Sequence, residues 1–207
     1  MVGGGVIVDV VARPFRQQID EGIVDRAAAL FARRGFAKTS VQEIADAVGL
    51  SKAGLLHHFA SKDALWEAVV AQADVLGKQV LGLARELPAG PERDRRALDV
   101  LVDIALAHPG LVALLLAPLT TGDPGAPELE VAGAAALAAF DVDPNAPVSE
   151  RSVRVTGALT ALAVLTLAAH AAQQTTAWRR HILATCFDAL GHARPVAALP
   201  ASDQVEA

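Results

Sequence analysis

Lys52, His57 and His58 fall within one short stretch, SKAGLLHH at 51–58, and their side chains suit contact with nucleic acid. A lysine can reach a phosphate or guanine O6 and N7, and an imidazole can meet a phosphate or a base edge. Ala53 can touch a thymine methyl. Phosphate contacts set register and base-edge contacts read sequence, so a segment offering both is a candidate reader of DNA. Gly54 lowers helix propensity by about 1 kcal/mol relative to alanine, and close approach to a groove would compensate. The plain alternative for any one of these residues is an ordinary exposed side chain. Paired histidines also suggest a metal. Neighbours on a helix project about 100° apart, however, and no Cys or acidic cluster completes a ligand set, so no metal is expected. A Gly-rich phosphate loop, GxSxG and HExxH are all missing, and Ser, His and Asp lack triad spacing. Neither an enzyme nor a cofactor is expected.

These residues need elements to hold them. Ser40 followed by Glu43 forms a capping box that opens a helix, along which Ile44, Ala45 and Val48 make one apolar face. Gly49 sits where that helix must stop. Ser51 can cap the next helix, in which Leu55 faces back to the first, as does Phe59 just after it. A helix–turn–helix follows, with 51–58 offered to the major groove. An earlier helix over 17–34, with Ile23, Ala27, Leu30 and Phe31 on one face, supplies the cover that the pair lacks. Arg33 and Arg34 suit its C-terminal dipole. Ser61 begins a further helix running toward residue 87, with Lys62 oddly placed as a cation at an N-terminus.

GLSKAGLLHHFASKDAL, preceded by LFARRGFAKTSVQEIA, resembles the DNA-binding domain of the TetR family of transcriptional regulators over about residues 23–65. The resemblance implies that Thr39 and Lys62 contact phosphate. It also implies that the last two long helices, over 149–190, form a four-helix dimer interface. Two positions depart from the family pattern. Leu56 stands where a phosphate-contacting tyrosine is usual, and Ala53 precedes Gly54 where glycine usually follows the Ser-Lys pair directly.

The rest of the chain sets bounds. It has 207 residues and is 53% hydrophobic with 4% aromatics, a balance supplied mostly by alanine and leucine, which favours helix over sheet. Residues 1–62 carry eight Lys/Arg against six Asp/Glu, while 63–207 carry ten against seventeen, so the relatively basic part holds the DNA motif. The single cysteine, Cys186, cannot pair internally, which suits a reducing cytoplasm; a buried small hydrophobe is its plain role and a thiol sensor the alternative. The stretch at 157–172 is uncharged, yet it is shorter than the roughly 20 apolar residues of a membrane span, so a buried helix is expected. The order is a tail at 1–16, the helix–turn–helix domain at 17–62, a helical effector-binding and dimerisation domain at 63–192 and a tail at 193–207. Arg13 and Arg16 could make the first tail an arm toward phosphate or the minor groove.

The expected fold is all-α: a three-helix DNA-binding domain followed by a larger helical domain. Candidate effector-pocket residues are Trp66, Leu101, His108, Leu115, Leu116, Thr160 and His170, each also readable as core packing. Gly157 and Ala161, with Ala168 and Ala172 repeating the spacing, permit close helix approach. With Ile182 and Phe187 they form the candidate dimer surface. DNA candidates are Thr39, Ser51, Lys52, Ala53, Gly54, His57, His58 and Lys62. The implied function is a homodimeric repressor that reads a palindromic operator and is released by a small apolar or amphipathic effector, with no membrane partner. The alternative is a DNA-binding protein whose second domain only dimerises or holds a protein partner.

Overall fold

The computed structural model describes residues 6–121 and 127–192, with side chains over 17–119 and 127–192. Arg13 and Arg16 as an arm, and the tail at 193–207, therefore lie outside the described side chains. The described residues form helices α1 (Val6–Arg34), α2 (Val41–Ala47), α3 (Lys52–His58), α4 (Lys62–Arg85), α5 (Pro91–Ala107) and α6 (Pro109–Thr121). A short 3-10 turn, Pro127–Leu129, leads into α7 (Glu130–Ala138), followed by α8 (Glu150–Ala171) and α9 (Thr175–Phe187). The expected all-α architecture is the one observed. Helix α1 starts well before residue 17 and runs through Pro14. A proline removes one intrahelical bond, and here it does not end the helix.

Local signals set most boundaries. Gly35 and Gly49 take positive φ (78° and 71°), closing α1 and α2 in the left-handed conformation that glycine adopts without strain. Ser40, Ser51 and Ser61 cap α2, α3 and α4 through their hydroxyls. His108 ends α5, and Pro109 begins α6 after a bend of 103°.

Two apolar cores divide α4 between them. Its first half gives Leu65, Val69 and Ala73 to a core shared with Ile23, Ala27 and Phe31 of α1, Ile44 of α2 and Leu55 of α3. Leu111 and Leu114 of α6 and Ala132 of α7 join the same core, so the cores do not part at residue 62. The second half of α4 gives Val80 and Ala84 to a core with Leu98, Phe140, Val155, Leu162 and Ile182. Small residues set the spacing where α4 crosses α7. A Cβ on Gly77 would lie 3.2 Å from that of Ala135.

A buried ionic cluster, not anticipated from the sequence, fastens the end of the second domain. Asp94, 2% exposed, receives Arg151 at 2.6 Å and His192 at 2.7 Å, while Arg93 donates to the carbonyls of Ala138 and Ala139. Both oxygens of the buried carboxylate are thereby satisfied, the condition under which burying a charge is tolerated. Its members lie far apart in sequence, so no local pattern announces it.

The expectation that α8 is buried needs correction. The helix is long and apolar enough to cross a membrane by length and composition, and only 28% of its most apolar window is buried. Val153 and Val164 are 60% and 49% exposed. One side packs on α5, α6 and α9, and the other is uncovered.

Candidate DNA-binding site

Helix α3 is amphipathic in the simplest way. Leu55 is buried at 1% exposure, whereas Ser51, Lys52, Ala53, Leu56 and His57 are exposed. The turn holds its start in place: Ser51 Oγ accepts the Gly54 N–H at 3.0 Å. A Cβ at position 54 would stand 3.3 Å from Ser51 Oγ, although the same cap positions of α2 and α4 carry Glu43 and Ala64. Helix α2 is held by its capping box and by an ion pair from Arg34 to Glu43. The backbone N–H of Ser40 above all, then its hydroxyl and Arg34, hold the Glu43 carboxyl below the usual carboxylate range.

Three of the eight DNA candidates also make bonds within the protein, and of these only Thr39 is fully buried. Thr39 is 2% exposed, and its hydroxyl donates to the Gly35 carbonyl at 2.9 Å while its N–H donates to Phe36. Lys62 Nζ donates to the carbonyls of Phe36 at 2.9 Å and Thr39 at 3.0 Å, and lies 4.3 Å from the Phe36 ring centroid. This arrangement resolves the oddity of a cation at a helix start, because carbonyl oxygens and a π-face surround it. Together Thr39 and Lys62 lock the α1–α2 loop onto α4, a structural role beside the phosphate contacts that the family resemblance implies for them. His58 is half-buried, with Nδ1 2.6 Å from Asp20 Oδ1, and ties the end of α3 to α1. Lys52, Ala53 and His57 remain on the open face with Ser51, while Gly54 is half-buried at its edge. Two further exposed residues stand near this face: Leu56, where the family pattern has a tyrosine, and Lys38, directly beside Thr39.

The effector-pocket candidates do not converge. Trp66 belongs to the DNA-binding core, with its ring centroid 5.6 Å from those of Phe31 and Phe36. Leu101 packs on the second core, Leu115 is 40% exposed, and Leu115, Leu116 and Thr160 line neither of two open grooves, one between α1 and α4 and one between α1, α6 and α8. Only His108 and His170 meet, in an open groove of about 750 Å³ between α1 and the α6–α8 side of the second domain. Of the dimer candidates, Gly157 and Ala172 are exposed and Ala161 and Ala168 half-buried. Ile182 is 1% exposed inside the core and is corrected to an internal role, while Phe187 is half-buried and packs on His192. Burial pushes the Cys186 thiol up to about 11, which leaves it protonated and unreactive at neutral pH.

Residues 23–69 match the family described as bacterial regulatory proteins, tetR family. The transcriptional repressor KstR2 of Rhodococcus jostii is 38% identical over 82 residues, which is 39% of this chain and 38% of that protein. The repressor Rv1474c of Mycobacterium tuberculosis is 32% identical over 34% of this chain and 41% of that protein. The chain thus aligns with about two fifths of the length of these relatives. Among solved structures, the fatty acid degradation regulator FadR from Bacillus halodurans aligns with a TM-score of 0.49 and 13% identity, over 84% of this chain and 97% of that one. The matched segment takes in α2, α3 and both flanking helices in part, with the caps and the buried face that a helix–turn–helix requires. Over this segment the chain is similar to the DNA-binding part of the tetR family of bacterial regulatory proteins.

Proposed function

We propose that this protein is a transcriptional repressor that binds a palindromic operator as a homodimer and leaves it when a small molecule binds. The observation that carries the reading is the exposed face of α3, where Lys52, Ala53 and His57 stand clear of the fold while Leu55 anchors the helix from behind. Lys52 and Lys38 meet phosphates, and Ala53, Leu56 and His57 meet base edges. The thymine methyl is the natural partner for the two apolar side chains. The uncovered side of α8, with Val153, Gly157 and Val164, is the surface for a second copy. A two-fold axis there sets two α3 helices against successive major-groove faces. The repressor names of the two relatives support the sign of regulation. The protein acts in the cytoplasm, where DNA is met.

Fluorescence anisotropy tests the reading with a duplex enriched from a random pool. Wild type binds that duplex in preference to a scrambled one, and Lys52→Ala binds it more weakly. Equal affinity for both duplexes would leave no sequence-specific function.

A further inference from the structure

A second open groove, about 640 Å³, lies between α1 and α4, and its volume is within the range of about 300–1,000 Å³ typical of small-molecule sites. Val24, Phe59, Ala71, Val75 and Leu76 give it an apolar lining. Its charged groups have one sign. Asp20 and Glu21 line it, and among the described lining residues there is no Lys or Arg; the other polar groups are three glutamine amides and His108. The groove between α1, α6 and α8 differs, because Arg26 and Arg33 stand there with Glu21 and Asp25 and leave no net preference.

One end of the α1–α4 groove touches the end of α3, and the other touches the α5–α6 break. Asp20 Oδ1 is 2.6 Å from His58 Nδ1 at the end of α3. Gln72 Nε2 is 3.2 Å from His108 Nδ1 at the α5–α6 break. An apolar lining with carboxylates at its edge complements a cation with an apolar body, through burial of the body and charge pairing of the head.

We infer that the α1–α4 groove binds a lipophilic organic monocation, and that this occupant draws the Asp20 carboxylate away from His58 and so loosens α3. The binding step stands without the repressor reading, and only its consequence for DNA rests on that reading. Helix α3 is short, and its end is held by this pair, by the Phe59 N–H bond to Leu55 and by the packing of Leu55 and Phe59 on the core, so losing the pair removes, among the described residues, the one polar tie from its last turn to α1.

Isothermal titration of the full chain with tetraphenylphosphonium, against tetraphenylborate as an anion of the same shape, tests the assignment. The cation binds once per chain and the anion about tenfold more weakly or worse, a gap of about 1.4 kcal/mol. Glu21→Gln weakens the cation about tenfold, and Ala71→Trp, at an exposed position, fills the groove and abolishes binding while helicity is retained. Equal binding of both ions, or undiminished cation binding in both variants, would overturn the site. The His58 ring resonances, assigned by comparison with His58→Gln, shift when the cation saturates wild type; unmoved resonances would overturn the competition for Asp20. If the protein enriches no DNA sequence yet binds the cation as described, the repressor reading fails and the groove assignment stands. If it enriches DNA and binds no cation, the groove assignment alone fails.

Discussion

Lys52 by the reach of its side chain and Lys62 by the family pattern both look like phosphate contacts, and the fold gives them different surroundings. Lys52 is exposed on α3, whereas Lys62 is held by two carbonyls and the Phe36 ring. Lys52→Ala should therefore weaken operator binding and reduce the slope of log K against log salt by about 1, without changing the melting temperature. Lys62→Ala should instead lower stability by about 1–3 kcal/mol, because charge-assisted bonds to the loop are lost; denaturant midpoints check this. A second residue-scale effect comes from Glu43. Its carboxyl is lowered by Ser40 and Arg34 in the folded protein, so its contribution is fully present above the ordinary carboxylate range. That contribution is lost as the pH falls through the lowered folded value. Asp103, lowered chiefly by its hydrogen bond from Arg179, has the same sign. Glu43→Gln should consequently lose less melting temperature than wild type on acidification, measured by circular dichroism.

Helices α2 and α3 were legible from the sequence because their determinants are local: a serine at each start and a glycine in the turn. The contact between α1 and α6 was not. The His-Pro-Gly run at 108–110 announces a break, but nothing near it says that the break is pressed against α1. A Cβ on Gly110 would lie 1.8 Å from the Asp25 carbonyl oxygen, and Asp25 Oδ1 accepts the Leu111 N–H at 3.0 Å. A helix of the DNA-binding domain thus supplies a capping carboxylate to a helix of the second. Gly110→Ala should force the two helices apart at a cost of about 1–3 kcal/mol or more, read as a lower urea midpoint. Asp25→Ala should cost about 1 kcal/mol by the same measurement, through loss of the cap alone. Trp66 was misplaced for a related reason. Its position along α4 is clear from the sequence, but the face it joins depends on Phe31 and Phe36 of another element.

At the scale of the molecule, the second domain was legible as helical and apolar but not as to which apolar side is covered. Helix α8 has an apolar residue on most of its turns, so periodicity could not tell core from surface, and the structure leaves Val153 and Val164 open. If that side joins two copies, Val164→Asp should convert a dimer to a folded monomer in sedimentation analysis. Operator affinity should fall with it, because the two α3 helices are then no longer tied together. The central claim is that the exposed face of α3 reads a DNA sequence. Sequencing the duplexes that the purified protein selects from a random pool tests it most directly. The account predicts an enriched palindrome whose half-sites lie about one helical turn apart or a multiple of it. Recovery of a pool with no enriched sequence would contradict it.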